Sequence, residues 1–215
     1  MQTYTIDSGN TFLKIGVFQN NVLTDVKKLS IQNFDFIFKE NSSVIYSNVS
    51  KEITSLLPRN AKNANDLITD FQTFYDQNKL GIDRKVISYY LQKKFPNEKL
   101  LLVDTGSFIT LDEIDHGKHL GGPIFLGLGN YLRSYPEFSA NLPLLREIDL
   151  TEMTNTQQAI SHAYAAYVDM ITSQLKKYNQ HRIILTGGDS QKLKDCGEIQ
   201  NNLIHQALFS LQNSF

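Results

Sequence analysis

The sequence predicts an α/β protein of two similar lobes with a cleft between them, and a repeated turn is the main reason. One strand-like run ends in Asp7-Ser8-Gly9, and another ends in Asp104-Thr105-Gly106. In both places a returning strand, a third strand and then a helix follow, as expected of a duplicated unit, although chance recurrence of a common turn is the alternative. The 215 residues, 41% of them hydrophobic, suffice for the cores of two small lobes.

The first lobe, residues 1–97, is predicted to open with a three-stranded meander. Thr3, Thr5 and Asp7 alternate with Tyr4 and Ile6, as one strand requires. The apolar patterns then predict, in chain order, strands at 12–18 and 22–29, a helix at 34–40, a buried strand at 44–46 and a helix at 83–95.

The second lobe, residues 98–215, follows Pro96-Asn97, which ends the preceding helix. The same patterns predict strands at 99–103, 108–114, 118–125 and 182–185 and helices at 129–138, 155–177 and 201–211. The longest helix has an apolar face of Tyr164, Tyr167, Val168 and Ile171. That face fits either a homodimer contact or an intramolecular core.

Composition excludes several classes of partner. With 21 basic and 22 acidic residues the net charge is −1, so we expect neither a nucleic-acid partner nor an anionic membrane surface. The single Cys196 excludes an intramolecular disulfide and a cysteine-based zinc site. No secretion signal is recognisable, and no apolar run approaches the ~20 residues of a membrane span. We therefore expect a cytoplasmic protein with small-molecule partners.

The two Asp-x-Gly turns have the composition of a nucleotide site. A carboxylate at a strand end can hold a hydrated cation, and a glycine turn can present backbone N–H groups to a phosphate. Gly9 and Gly106 allow close approach, and Lys14 adds positive charge. Neutral hydrogen-bonding side chains come from Asn10, Thr11 and Ser107. The alternative is an ordinary turn followed by a solvated lysine.

Asp83-Arg84 stands where the helix at 83–95 begins. A carboxylate there can orient an acceptor hydroxyl and take its proton, and the guanidinium can bind an acidic substrate. A helix cap with a solvated neighbour is the alternative. His116 and His119 form an HxxH pair that we interpret as a solvent-exposed hairpin turn, because a third metal ligand is missing.

The order of the motifs resembles that of type III pantothenate kinases. The resemblance covers nearly the whole chain and rests on DSGNT with Lys14, GIDR at 81–84, DTGS at 104–107, GGPI at 121–124 with Gly127, Leu142-Pro143, Asn155-Thr156 and TGGD at 186–189. It implies two ribonuclease-H-like lobes of the actin-like ATPase superfamily. It also implies ATP-dependent phosphorylation of pantothenate, the first step of coenzyme A biosynthesis, and a homodimer.

The resemblance also implies roles for individual residues. Asp83 is similar to the family's general base, and Asp104 to its ligand for a monovalent cation, K⁺ or NH₄⁺. The residues that resemble its ATP-binding set, for ATP with Mg²⁺, are Asp7, Ser8, Gly9, Asn10, Thr11, Phe12, Leu13, Lys14 and Ser107. The residues that resemble its substrate-binding set are Tyr75, Gly81, Ile82, Asp83, Arg84 and Thr156, the last close to the partner subunit's site.

The chain departs from the family pattern at a few positions. Ser107 replaces a usual Thr, Leu126 replaces a usual Pro before Gly127, and Tyr75 stands one residue closer to Gly81 than is usual. Two other functions fit the motifs: a kinase of another small alcohol or sugar, and a non-catalytic ATP-binding accessory protein. Retention of all three aspartates, Asp7, Asp83 and Asp104, disfavours the accessory protein.

Overall fold

The computed structural model describes residues 2–8, 12–30, 35–47 and 51–212. The chain divides into two compact units. The first unit comprises Met1–Asn97, His116–Leu120 and Asn202–Phe215, and the second comprises Glu98–Asp115 and Gly121–Asn201. The first unit thus takes in two stretches that the sequence-based division at residue 97 assigns to the second lobe, and that division stays a prediction.

The secondary structure alternates between strands and helices. The strands are β1 (Gln2–Ser8), β2 (Phe12–Gln19), β3 (Val22–Ser30), β4 (Ser43–Ser47), β5 (Lys62–Asn63), β6 (Lys99–Thr105), β7 (Phe108–Asp115), β8 (Lys118–Gly121), β9 (Ile124–Leu126), β10 (Arg182–Thr186) and β11 (Glu198–Ile199). The helices are α1 (Lys51–Leu56), α2 (Ala64–Leu67), α3 (Ile82–Lys94), α4 (Leu128–Phe138), α5 (Thr156–Lys176) and α6 (Leu203–Ser210), with a 3₁₀ helix at Ser190–Cys196. None of the helices described is both long and apolar enough to cross a membrane.

The sheet of the first unit has the order β3-β2-β1-β4-β5. Strands β1, β2 and β3 pair antiparallel, which confirms the predicted meander, whereas β4 runs parallel to β1. Alternation along β1 and β2 buries Tyr4, Ile6, Leu13 and Ile15 in one core. The residues between them on β1, including Thr5 and Asp7, therefore lie on the opposite face of the sheet.

The second unit repeats this local topology. Its β6 lies between the parallel strand β10 and the antiparallel strand β7, just as β1 lies between β4 and β2. Strand β11 continues the sheet beyond β10, and β9 pairs with β7. An Asp-x-Gly sequence begins within each central strand, at Asp7 and at Asp104. The shared topology supports duplication over a chance recurrence of turns.

The helix predicted at 34–40 is wrong for the described residues 35–40, which contain no helix. The aromatic rings of Phe36 and Phe38 both contact the ring of Tyr4, with centroids 5.4 and 5.3 Å away. Ile37, between them, is 88% exposed. Side chains two positions apart that share one face require an extended backbone, so packing on Tyr4 overrides the helical pattern.

The single strand predicted at 118–125 is also wrong, because it is broken into β8 and β9. Gly121 has a left-handed φ of 84°. The next residue, Gly122, passes so close to β7 that a Cβ there would lie 1.9 Å from the carbonyl oxygen of Leu111. Only glycine fits this approach, and the chain is redirected before β9 begins.

The apolar face of α5 packs inside its own unit. Tyr164 and Ile171 are buried in the core, Val168 packs against it, and the ring of Tyr167 stacks on Tyr131 at 4.3 Å between centroids. The intramolecular alternative is therefore the one observed for this face. The homodimer stays a prediction, and this face does not support it.

Candidate active site

Asp7 lies at the end of the central strand of the first unit, between two neighbours. It is opposite Lys14 on β2 and beside Ser47 on β4. The Ser47 hydroxyl donates a hydrogen bond of 3.2 Å to Oδ1 of Asp7. Ser47 could not be predicted as part of the site, because a lone serine at a strand end has no distinguishing pattern.

Asp7 has an unusual protonation equilibrium. Burial and, second to it, the negative charge of Asp83 raise the pKa of the Asp7 carboxyl to about 6. Lys14 and the Ser47 hydrogen bond act in the opposite direction but do not offset this rise. Two carboxylates that are far apart in sequence thus share one electrostatic environment within the first unit, as is common at functional sites.

Asp83 is held in the first turn of α3. The N-cap is Gly81, which supplies no side-chain hydrogen bond. Oδ1 of Asp83 accepts a hydrogen bond of 2.9 Å from the backbone N–H of Arg84. A Cβ on Gly81 would lie 2.6 Å from the same oxygen, so glycine leaves room for this carboxylate. Asp83 therefore satisfies one first-turn amide without being the N-cap.

Arg84 and Tyr75 form a pair beside Asp83. The guanidinium carbon of Arg84 lies 5.5 Å from the centroid of the Tyr75 ring, in cation–π geometry. Arg84 is 8% exposed, whereas Tyr75 is 36% exposed. A buried guanidinium covered by an aromatic ring is suited to binding an acidic group of a small molecule.

The other residues of the first phosphate segment differ in accessibility. Ser8 is buried, Phe12 is 39% exposed with the Lys28 ammonium 3.8 Å from its ring centroid, and Lys14 is exposed. Leu13 is fully buried in the core, so its side chain points away from solvent. Gly9, Asn10 and Thr11, also predicted to bind ATP, lie outside the described residues.

Asp104 has oxygen neighbours in the second unit. Gly187 has a φ of +91°, and a Cβ there would lie 2.5 Å from Oδ1 of Asp104 and 2.6 Å from the carbonyl oxygen of Thr105. Gly187 therefore packs too closely on Asp104 and Thr105 for any side chain, and the Thr105 carbonyl accepts a 3.1 Å hydrogen bond from the Asp189 amide. Across the described residues, no group of three or more His, Cys, Asp or Glu side chains is arranged to hold a metal ion. The role of Asp104 as a cation ligand stays a prediction.

Ser107 is exposed in the turn that follows β6. Its carbonyl accepts hydrogen bonds from the Gly127 backbone at 3.0 Å and from Nδ2 of Asn130 at 2.7 Å. The turn is thereby fixed to the start of α4. The Gly129 amide in the same helix donates to Oδ2 of Asp189 at 3.3 Å, so a carboxylate of the chain itself uses this first-turn amide.

Thr156 is the exposed first residue of α5. The N-cap before it is Asn155, whose Oδ1 accepts a 3.0 Å hydrogen bond from the Gln158 amide. The resemblance implies that Thr156 contacts the substrate close to the partner subunit's site, and that role stays a prediction.

Ile82 is the half-buried first residue of α3, between Gly81 and Asp83.

The solvent-exposed turn predicted for the HxxH pair is wrong for His119. His116 does lie in the hairpin turn, exposed and with a φ of 47°. His119 is 0% exposed, and its Nδ1 is hydrogen-bonded to Oγ1 of Thr73 at 2.8 Å. Its hydrogen-bond partner is 46 positions away in the sequence, so no local pattern reveals this environment.

Comparison with known proteins decides the family. A family model described as type III pantothenate kinase matches residues 4–177. A type III pantothenate kinase of Christiangramia forsetii is 31% identical to this chain and aligns with 96% of it and 93% of its own length. The chain belongs to the type III pantothenate kinase family. The resemblance carried by the motifs is thus confirmed, and the protein is an enzyme of the pantothenate kinase class.

Solved structures agree with the fold. A crystal structure from Campylobacter jejuni, named as a candidate Baf family transcriptional activator, has a TM-score of 0.70 at 27% identity and covers 97% of this chain and 96% of its own. Lmo2764 of Listeria monocytogenes, named as a candidate N-acetylmannosamine kinase, has a TM-score of 0.51 at 12% identity, with 98% of each chain covered. The second likeness shows the fold alone. The predicted α/β fold in two lobes is confirmed.

Proposed function

We propose that this pantothenate kinase transfers the γ-phosphoryl group of ATP to the primary hydroxyl of pantothenate, giving 4′-phosphopantothenate and ADP. This reaction is the first step of coenzyme A biosynthesis. The observation that carries the proposal is the electrostatic pairing of Asp7 with Asp83 in a chain of this family. Phosphoryl transfer needs a group that binds the charged nucleotide and a base for the acceptor, and two neighbouring carboxylates can divide these roles.

Asp83 is the proposed general base. It accepts a hydrogen bond from the acceptor hydroxyl and takes its proton as the hydroxyl oxygen bonds to the γ-phosphorus of ATP. The bond from that phosphorus to the oxygen bridging it to the β-phosphate breaks, and ADP leaves with the electron pair. The Arg84 amide already holds Oδ1 of Asp83, which leaves Oδ2 for the acceptor.

Asp7 is the proposed carboxylate at the phosphate end of the site. Its oxygen donor suits Mg²⁺, which when bound with ATP neutralises phosphate charge. Ser47 fixes one carboxylate oxygen, and Lys14, opposite on β2, adds a positive charge. The raised pKa of Asp7 supports this role, because a carboxylate near another negative charge gains most from a nearby cation.

Arg84 and Tyr75 are the proposed recognition pair for pantothenate. The substrate has a carboxylate at the end opposite the reacting hydroxyl, and a guanidinium is the natural partner for a carboxylate. Burial of Arg84 strengthens such an interaction, and the exposed Tyr75 ring offers an apolar surface beside it. Gly81 and Ile82 lead directly into this segment.

Asp104 is the proposed side-chain ligand of a monovalent cation, K⁺ or NH₄⁺. Support comes from its carboxylate near the end of the central strand β6, where a negatively charged oxygen can bind a cation. Ser107, in the turn after β6, is proposed to donate its hydroxyl to ATP. The positive charge there would favour binding of the negatively charged nucleotide.

A homodimer in the cytoplasm is proposed as the working form. Support comes from large apolar side chains that are exposed at the end of α4 and in the segment between α4 and α5, namely Phe138, Leu144, Ile148, Leu150 and Met153. Large exposed apolar side chains, where they gather on one surface, commonly mark a protein interface. Thr156 follows the same segment, consistent with its proposed contact with substrate in the partner subunit's site.

The decisive experiment is an ADP-release assay with Mg²⁺-ATP, run with pantothenate, with several sugars and without acceptor. We expect ADP release that depends on pantothenate and on K⁺ or NH₄⁺. Release with a sugar and not with pantothenate would instead favour the alternative sugar kinase. No acceptor-dependent release under any condition would favour the non-catalytic accessory protein. The name of the Campylobacter jejuni protein mentions transcription, but a net charge of −1 offers this chain no general attraction to nucleic acid.

A further inference from the structure

A chain of hydrogen bonds in the first unit joins a buried histidine to the exposed Tyr75. Nδ1 of His119 lies 2.8 Å from Oγ1 of Thr73. The same oxygen accepts a hydrogen bond of 2.9 Å from the backbone N–H of Tyr75. A threonine hydroxyl can accept one hydrogen bond while it makes another, so this single group links His119 to Tyr75.

His119, at one end of this series of hydrogen bonds, is held firmly in place. It is 0% exposed, and its ring lies 5.5 Å from that of Phe71. Its backbone N–H donates to the Gln72 carbonyl at 2.9 Å, and its own carbonyl accepts from the Phe74 amide at 3.0 Å. Side chain and backbone are thus both held, which makes His119 a rigid support.

The segment around Tyr75 has little other regular structure. Between α2 and α3, the regular backbone pairing is the isolated bridge of Thr73 with His119. Nε2 of Gln92, in α3, adds a hydrogen bond of 2.6 Å to the Gln72 carbonyl. Beyond Thr73, Phe74 and Tyr75 are exposed. The Lys118 ammonium lies 3.5 Å from the Phe74 ring centroid, and the Thr73 hydroxyl is the side-chain group that holds the Tyr75 amide.

Tyr75, whose amide is bonded to the Thr73 hydroxyl, has its ring over Arg84. The Arg84 guanidinium carbon is 5.5 Å from the Tyr75 ring centroid, and the His119 ring is 6.3 Å from it. We propose that Thr73, held by His119, is a positioning residue that sets the affinity for pantothenate by holding Tyr75 over Arg84. This inference rests on the proposed function, in which Tyr75 and Arg84 bind the acceptor.

The physical effect is one of preorganisation. Without the hydroxyl, the Tyr75 amide loses its acceptor and the segment gains freedom that substrate binding must then remove. The two hydrogen bonds of the Thr73 hydroxyl given above join it to His119 and Tyr75, not to Asp7 or Asp83, so we expect the rate of the bound complex to be unaffected. The predicted signature is a raised KM for pantothenate with kcat and the KM for ATP unchanged.

The test compares Thr73→Val, which keeps the shape and removes the hydroxyl, with Thr73→Ser, which keeps the hydroxyl. We expect Thr73→Val to raise the KM for pantothenate roughly 10-fold, the typical effect of one hydrogen bond. Thr73→Ser should stay within about 2-fold of the wild type. Thr73→Val also removes a hydrogen-bond partner of the buried Nδ1 of His119, so its melting temperature should fall by a few degrees, whereas that of Thr73→Ser should match the wild type.

A double-mutant cycle shows whether Thr73 acts through Tyr75. In a Tyr75→Ala background, Thr73→Val should cause no further rise in KM, because the ring that it positions is absent. A full additional rise in that background would overturn the proposal. So would an unchanged KM in Thr73→Val, an equal loss in Thr73→Ser, or a loss confined to kcat and melting temperature.

Failure of the proposed function gives a different result. Wild-type protein that releases no ADP with pantothenate would overturn both the function and this positioning role. Wild-type protein that is active, with a Thr73→Val variant of normal KM, would overturn the positioning role alone.

Discussion

The Asp7 carboxyl, at the end of β1, has a pKa of about 6 because it is buried and because the charged Asp83 of α3 lies near it. The ionised Asp7 carboxylate therefore destabilises the folded protein at the position of the proposed chemistry. A cation bound with the nucleotide would offset this destabilisation, which is present in the free protein. A substitution that removes the Asp7 charge should thus raise stability and lower activity.

Asp7→Asn should stabilise the free protein at pH 8 and remove its activity. The folded-state pKa of Asp7 lies above the unfolded value of 3.8. Its contribution to stability is thus full below pH 3.8 and is lost as the pH rises through 6. Asn removes the charge and keeps an oxygen for Ser47, so we expect a gain of ~1–3 kcal/mol at pH 8 in urea unfolding. A variant less stable than wild type at pH 8 would contradict this.

Gly81→Ala should impair turnover by moving the Asp83 carboxylate. The backbone of Gly81, with φ −55° and ψ 137°, accepts alanine without strain, but the new Cβ would come within 2.6 Å of Oδ1 of Asp83. We expect kcat to fall about 10- to 100-fold, because misplaced catalytic groups lose rate steeply. Unfolding should shift by no more than about 1 kcal/mol. Gly81→Ala should add little further loss of kcat in an Asp83→Asn background, and a large extra loss would show that it acts otherwise.

His205 should make the protein sensitive to acid. Its Nδ1 is hydrogen-bonded to Thr5 at 2.8 Å, and burial and then the charge of Lys14 lower its pKa to about 4. Because this folded-state pKa is below the ordinary 6.5, the contribution is full above pH 6.5 and is lost as the pH falls toward 4. The loss should approach ~3 kcal/mol.

The check is the difference between wild type and His205→Asn in urea unfolding from pH 7.5 to pH 4.5. The variant is expected to be less stable at pH 7.5 but to lose less stability on acidification. Subtracting the two free energies of unfolding at each pH cancels the contribution of Asp7, which has the opposite pH dependence and is common to both proteins. Parallel pH profiles would contradict the role assigned to His205.

Asp104→Asn should weaken activation by monovalent cations. Loss of the carboxylate charge lowers the affinity of the proposed site for K⁺. We expect the K⁺ concentration for half-maximal activity to rise about 10-fold. Rates measured in Na⁺, K⁺ and NH₄⁺ buffers provide the comparison. Equal wild-type rates in all three cations would contradict the proposed cation site.

Local periodicity predicted those elements whose burial is set by their own sequence. The hairpin of β1 and β2 and the helix α3 follow directly from alternating and helical apolar patterns. The conformation of the segment containing Phe36 and Phe38 does not follow from its local pattern, because both rings pack on Tyr4 of β1, more than 30 positions earlier in the sequence. The surroundings of His119 likewise come from distant residues, among them Thr73 and Phe71.

The sequence predicted the site residues that stand in a motif. It did not predict the residues elsewhere in the chain that hydrogen-bond to them. Asp7 and Asp83 stand in recognisable motifs, but only the fold places their charges close enough to interact. Ser47, which bonds Asp7, and Thr73, which bonds the Tyr75 amide, are single hydroxyls in otherwise ordinary strings of residues. Tertiary structure alone distinguishes them from surface serines and threonines.

The most direct test of the account is pantothenate-dependent ADP release by wild-type protein and by Asp83→Asn. Asn keeps the oxygen that accepts from the Arg84 amide and loses the proton acceptor. Asp66→Asn is the matched control, since Asp66 is also an acid in the first turn of a helix, α2. We predict a kcat lower by roughly 10²- to 10⁴-fold for Asp83→Asn, with ATP affinity unchanged and a melting temperature no lower than that of the wild type. Near-normal turnover in a folded Asp83→Asn protein would contradict the catalytic role of Asp83.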